Sequence, residues 1–149
     1  MLKNRIDADL KAAMLAREAL KVETLRGLKA VILNEEVAKG TREEGLADVA
    51  VEQLLARESK QRDEAAELFE RGGNQASADK ERAEKQILSV YLPQQLTEAD
   101  IQLLVDEAIA MIKPAGLADM GKVIGAVKAK GGNSADGATV ARLVKTSLQ

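Results

Sequence analysis

The stretch LPQQLTEADIQLLVDEAIAMI, residues 92–112, determines how the chain is organised. Its proline disfavours helical backbone at Leu92, so a helix that arrives from the N-terminal side ends there. Thr97 and Asp100 have the spacing of a capping box, which predicts the start of a new helix. From Ile101 onward, apolar residues recur every three or four positions, as in an amphipathic helix. We therefore predict a boundary between two helical units in this stretch.

Apolar periodicity and turn residues predict helices on both sides of this boundary, and no strand pattern competes with them. The expected fold class is all-α: an N-terminal helical bundle over residues 1–92, followed by a small three-helix domain over residues 97–149. The predicted helices are approximately 2–17, 19–39, 47–71 and 77–91 in the bundle, then 98–112, 118–129 and a last helix that begins near 136–139 and ends near 148.

Two features of the predicted helices have competing interpretations. Glu58 and Arg62 interrupt the apolar stripe of the third helix one turn apart, so the middle of this helix is expected to project beyond the core. The pair is then either a recognition surface or an ordinary solvated i, i+4 ion pair. Gly121 and Gly125 lie four residues apart on the sixth helix, and we expect them to allow close packing of a neighbouring helix.

The composition restricts the chemistry that the chain can perform. Among its 149 residues there is no cysteine and no histidine, which excludes a Ser-His-Asp triad, a thiolate nucleophile and the usual zinc ligands. Adjacent acids such as Glu35 and Glu36 do not face each other on a helix, and nothing pairs a nucleophile with a base. We expect no catalytic residues, no cofactor and no metal.

The first residues and the hydropathy of the chain predict where in the cell the protein is located. The first residues are charged where a signal peptide needs an apolar core, and 18 apolar residues never follow one another. No membrane partner is therefore expected, and the predicted location is cytoplasmic.

Charge is distributed unevenly along the chain. The formal net charge is −2, yet residues 117–149 carry five basic and only two acidic side chains. Basic side chains can bind nucleic-acid phosphates without reading sequence. The candidate nucleic-acid-binding residues are Lys122, Lys128, Lys130, Arg142 and Lys145. The alternative interpretation is an ordinary solvated face.

Several segments, taken together and in order, resemble a known family, the YqeY or GatB/YqeY domain family. These segments are LRGLKA at 25–30 with NEE at 34–36, ESKQR at 58–62, IL at 87–88 with YLPQQLT at 91–97, MGKVIG at 120–125 and ADG at 135–137. The resemblance covers essentially the whole chain.

This resemblance implies an N-terminal bundle and a tail similar to that of GatB, a subunit of the tRNA-dependent amidotransferase. In GatB the related tail helps the enzyme complex to recognise its tRNA. The family is also labelled with carbon–nitrogen ligase activity that uses glutamine as amido donor, a label that we interpret as inherited from GatB. Gly132 and Ser134 stand where relatives often have basic residues, which predicts weaker RNA binding.

The sequence leaves more than one function open. The first hypothesis is an accessory tRNA-associated module without a catalytic centre of its own, with tRNA or a tRNA-bound enzyme complex as partner. The alternative is a helical protein-interaction adaptor with no RNA binding, and an enzyme of unknown type is the third possibility. The oligomeric state is not predicted.

Overall fold

A computed structural model describes all residues, 1–149, and consists of helices without a strand. The prediction of an all-α fold is confirmed. None of the helices combines the length and the hydropathy needed to cross a lipid bilayer. The helices are α1 (Leu2–Leu15), α2 (Ala19–Lys39), α3 (Asp48–Arg71), α4 (Gln75–Ser89), α5 (Glu98–Ile112), α6 (Met120–Gly131) and α7 (Gly137–Leu148), with short 3-10 turns at Leu117–Asp119 and Gly132–Ser134.

The chain forms two compact units, Met1–Leu92 and Pro93–Gln149. The first unit contains α1–α4 and the second contains α5–α7. Each unit has a separate cluster of buried apolar side chains, so each has a core of its own. That either unit folds without the other stays a prediction.

The first unit is built around the rows of apolar residues that the helical period places on the inner faces of its helices. At the end of α4, buried Tyr91 anchors the chain to α1. Its hydroxyl donates to Asp9 Oδ2 at 2.6 Å, and the guanidinium of Arg5 lies 5.0 Å from the centre of its ring. Burial and the neighbouring Asp9 carboxylate raise the pKa of Tyr91, so the hydroxyl remains a donor at neutral pH. The core residues are Ile6, Leu10, Leu25, Leu28, Ile32, Leu46, Val51, Leu54, Leu55, Leu88 and Tyr91.

The middle of α3 extends past the apolar core of the first unit, as expected, because the cluster of core residues contains no residue between Leu55 and Leu88. Its Glu58–Arg62 pair is nevertheless not exposed. The side chains of Glu58 and Arg62 are only 15% and 18% exposed, because α4 covers this part of α3. Arg62 lies between two carboxylates, with Glu58 Oε2 at 2.9 Å and Glu84 Oε2 of α4 at 3.3 Å. The pair is therefore part of the α3–α4 interface and is neither a recognition surface nor a freely solvated pair.

Capping residues define where the helices of the second unit begin. Thr97 Oγ1 accepts from the backbone N–H of Asp100, and Asp100 Oδ2 accepts from that of Thr97, both at 3.1 Å. This confirms the predicted capping box of α5. Asp136 caps α7 by accepting from the backbone N–H of Thr139 at 2.9 Å. The three helices enclose Ile101, Val105, Ala108, Val123, Val127, Ala135, Val140, Leu143 and Val144.

The glycine that permits close packing in α6 is not one of the two expected. Gly121 and Gly125 are exposed, and nothing lies within 4 Å of the position that a Cβ would take at either one. The expectation of close packing at these residues is wrong because α5 and α7 pack on the other faces of α6. At Gly131 a Cβ would lie 2.6 Å from the Cβ of Ala135, so only glycine fits there.

We expect alanine substitutions at two glycines of α6 to change stability in opposite directions. Gly131→Ala forces a clash with the short, rigid Ala135 side chain and should destabilise the second unit by about 1–2 kcal/mol. Gly125→Ala adds a methyl group in open space within a helix and should stabilise it by about 0.5–1 kcal/mol. Urea unfolding followed by circular dichroism measures both effects, and equal shifts in the same direction would contradict this packing.

Candidate nucleic-acid interface

Charge is separated between the helices of the second unit. Four acidic residues and no basic residue lie within α5, namely Glu98, Asp100, Asp106 and Glu107. All five candidate nucleic-acid-binding residues lie in α6 and α7, which contain no acidic residue. A polyanion would therefore be repelled by α5 and attracted by α6 and α7.

Lys122 projects into solvent from the first turn of α6. Its side chain is 75% exposed, and its Nζ lies 3.6 Å from Asp119 Oδ1. Asp119 also accepts from the backbone N–H of Ala115 at 2.9 Å. This hydrogen bond, together with the charge of Lys122, lowers the pKa of Asp119. Because the ion pair is long and exposed, the Lys122 ammonium remains accessible to a ligand.

Lys128 folds back onto the loop that follows α6. Its ammonium donates to the carbonyl oxygens of Ala135 at 2.7 Å and Gly132 at 3.3 Å. Carbonyl groups beyond the end of a helix lack partners within it, and a lysine side chain is one of the groups that satisfies them. Lys128 therefore holds the loop in place. Because its ammonium group is engaged with these two carbonyl oxygens, Lys128 is less accessible to a ligand than the other candidates.

Lys130 and Arg142 connect the basic helices to acidic α5. Lys130 Nζ lies 3.1 Å from Glu107 Oε2, and the Arg142 guanidinium lies 2.9 Å from Glu98 Oε2. In both pairs each side chain is more than half exposed, so each pair contributes little to stability. A phosphate could replace these carboxylates at low cost.

Lys145 is the one candidate without a carboxylate or carbonyl partner. It is exposed and lies one turn beyond Arg142 on α7. Among the five candidates, each of the other four contacts a different acceptor, so they do not converge on a single point. Lys122, Arg142 and Lys145 are the candidates that project most freely from α6 and α7, whereas Lys130 pairs with α5 and Lys128 binds the loop.

A buried carboxylate in the first unit was not identified from the sequence. Glu36 is 1% exposed, and its Oε1 accepts from Lys3 Nζ at 2.6 Å and from the backbone N–H of Leu46 at 3.1 Å. The Lys3 hydrogen bond lowers the pKa of Glu36 despite its burial. The sequence contained one signal for this burial. Glu36 lies in the same i, i+4 row as the apolar residues Leu28 and Ile32, so the helical period places it on the buried face of α2.

No group of three or more potential ligand side chains in residues 1–149 could hold a metal ion.

Fold and surface together define an all-helical protein whose second unit presents two basic helices beside an acidic one. The chain belongs to the YqeY-like protein family, whose model matches residues 3–148. The resemblance inferred from the sequence is thereby confirmed at the level of the family.

Two curated relatives are similar to parts of the chain. Altered inheritance of mitochondria protein 41, mitochondrial, of Eremothecium gossypii is 33% identical over 84 residues, which cover 56% of this chain and 45% of that protein. The protein of the same name from Lachancea thermotolerans is 32% identical over 108 residues, which cover 70% of this chain and 56% of that protein. The chain thus spans about half the length of these relatives. Both are named as mitochondrial proteins, which contradicts the cytoplasmic location expected from the sequence.

Proposed function

We propose that this YqeY-like protein is an accessory RNA-associated module that engages tRNA, or a tRNA-bound enzyme complex, through α6 and α7. The observation that carries the proposal is the absence of any acidic residue from these two helices, which contain five basic ones. Acidic α5 limits the surface on one side, since its carboxylates repel phosphates.

The choice of tRNA rests on the resemblance of residues 97–149 to the tail of GatB. Structured RNA is recognised largely by shape and backbone, so the lack of aromatic stacking side chains is compatible with this ligand. It argues against single-stranded RNA, which binds by stacking on aromatic side chains. In this proposal the carbon–nitrogen ligase label of the family refers to chemistry performed by a partner enzyme.

The ion pairs of the second unit predict weak binding. Lys122 and Arg142 have carboxylate partners in the free protein, so each exchanges one anion for another when a phosphate binds. Only Lys145 gains an anion without losing one. Gly132 and Ser134 add no charge to the loop after α6. We expect a Kd of about 1–100 µM at physiological salt, within the range of non-specific binding.

Replacing Lys122, Arg142 and Lys145 together by alanine tests this proposal. We expect the triple variant to bind different tRNAs similarly weakly, because phosphate contacts do not read sequence. The plot of log K against log salt should become less steep by about 1–2 units. The loss of three full phosphate contacts would change the slope by more, but two of the three residues only exchange one anionic partner for another. Titration of purified tRNA at several salt concentrations measures both quantities.

The first unit provides a matched control. Lys80, Arg82 and Lys85 of α4 are also basic residues paired with carboxylates, and their side chains are 53%, 42% and 40% exposed, so their replacement by alanine makes the same change in net charge. This control should retain wild-type affinity. Equal affinities for the wild type and both triple variants would remove RNA binding from α6 and α7.

A protein-interaction adaptor is the second candidate, and the outer face of α5 favours it. Leu103 and Met111 are 63% and 78% exposed, two turns apart on this acidic helix. Two large exposed apolar side chains among carboxylates are suited to a basic, amphipathic protein segment. If the wild type fails to bind tRNA at low salt, this adaptor function becomes the preferred one.

A further inference from the structure

A cavity between α1 and α2 in the first unit has no role in the proposed RNA binding. Its volume is about 330 Å³, at the lower end of the range for small-molecule pockets. Apolar side chains of Ile6, Ala30, Ile32 and Leu33 line part of it, and Leu33 is 43% exposed. The remaining lining residues are Lys3, Asp7, Lys29 and Glu36.

These four charged residues form two ion pairs that differ in their exposure. The Lys3–Glu36 pair, at 2.6 Å, includes a carboxylate that is only 2% exposed. Glu36 also holds the backbone of Leu46, so this pair is fixed. The Lys29–Asp7 pair, at 2.7 Å, joins α2 to α1 and is 47% and 39% exposed. Opening this exposed pair costs little, because such pairs contribute at most about 1 kcal/mol.

We propose that the cavity binds a small zwitterion with an apolar body, the chemical class to which free apolar amino acids belong. The apolar body contacts Ala30 and Leu33. The ligand carboxylate pairs with Lys29, and its ammonium group pairs with Asp7.

Charge compensation favours a zwitterion over a simple ion. The four charged lining groups sum to zero, and a zwitterion inserted between Lys29 and Asp7 gives each a new partner of opposite charge. An anion would leave Asp7 without a partner, and a cation would do the same to Lys29. An uncompensated charge beside an apolar wall is unfavourable, so both single ions bind less well.

Three probes with related carbon skeletons test the proposal: L-leucine, 4-methylpentanoate, which lacks the ammonium group, and 3-methylbutylamine, which lacks the carboxylate. Each is titrated into the full chain while the methyl signals of Ile6, Ala30, Ile32 and Leu33 are followed by NMR. We expect saturable shifts with leucine and about fivefold weaker binding of the two ions, the effect of losing one exposed ion pair. Equal affinities of all three probes, or no saturable shift with leucine, would overturn the proposal.

Two variants make the test specific for the cavity. Ala30→Phe should fill the cavity and abolish the leucine shifts, whereas Ala8→Phe, at an exposed position of α1 outside the lining, should not. The double variant Asp7→Asn with Lys29→Gln should remove the preference for leucine over the two ions. Leucine binding that persists in Ala30→Phe, or a preference that survives the double variant, would contradict the assignment.

Discussion

The Val105→Asp variant is expected to unfold the second unit while the first unit remains helical. Val105 is completely buried between α5 and the other two helices of its unit, and no cation is available there to pair with a new carboxylate. Burying an unpaired charge should cost about 4–5 kcal/mol. A unit of residues 93–149 is expected to have a free energy of unfolding of only about 3–5 kcal/mol, the lower part of the usual range, because so short a chain buries a smaller fraction of its surface.

Hydrogen exchange of the full chain measures this effect in each unit separately. Amides of residues 98–148 should lose protection in Val105→Asp, and those of α1–α4 should keep it. Leu103→Asp is the matched control, because it places the same carboxylate at an exposed position of the same helix. Simultaneous loss of protection in both units would show that the two units fold as one.

The Glu36→Ala variant should destabilise the first unit by about 2 kcal/mol at pH 7. It removes the acceptor of the Lys3 ammonium and of the backbone N–H of Leu46. Hydrogen bonds to charged groups contribute about 1.5–3 kcal/mol, and the partial exposure of Lys3 reduces this contribution. Glu35→Ala is the control at the neighbouring position, where only an i, i+4 pair with Lys39 is lost, and it should cost a few tenths of a kcal/mol.

The effect of Glu36 should depend on pH in a defined direction. Because the pKa of Glu36 is lower in the folded protein than its ordinary value of 4.5, the unfolded chain binds a proton more readily. The stabilisation is therefore complete at neutral pH and is lost as the pH falls below about 4.5 toward the folded pKa. Urea unfolding of wild type and Glu36→Ala should differ most near pH 7 and least in acid. A difference that grows in acid would contradict the Lys3–Glu36 pair.

Signals that depend on a few neighbouring residues were sufficient to predict most of the fold. The capping box of Thr97 and Asp100 marks the start of α5, as expected. Gly40 ends α2 in a left-handed conformation, which a glycine at this position of a helix predicts. By contrast, α4 begins two residues earlier than expected, because Asn74 acts as its N-cap by accepting from Ser77.

Properties that depend on contact with another helix or loop could not be predicted from the sequence. Glu58 and Arg62 resemble a solvated pair until α4 covers them. Lys122 and Lys128 are both basic residues of α6, and the return of the chain through Ala135 gives Lys128 a different role. Gly131 and Gly125 are likewise distinguished only by the approach of Ala135.

A hydrogen-exchange footprint of purified tRNA on the full chain tests the central claim most directly. With tRNA in excess at low salt, we predict new protection within residues 120–131 and 137–148, the two helices that contain basic and no acidic residues. No new protection is expected within residues 98–112, because α5 carries four carboxylates and no cation. Protection that appears on α5 or only in the first unit, or no protection anywhere, would contradict an RNA-binding surface on α6 and α7.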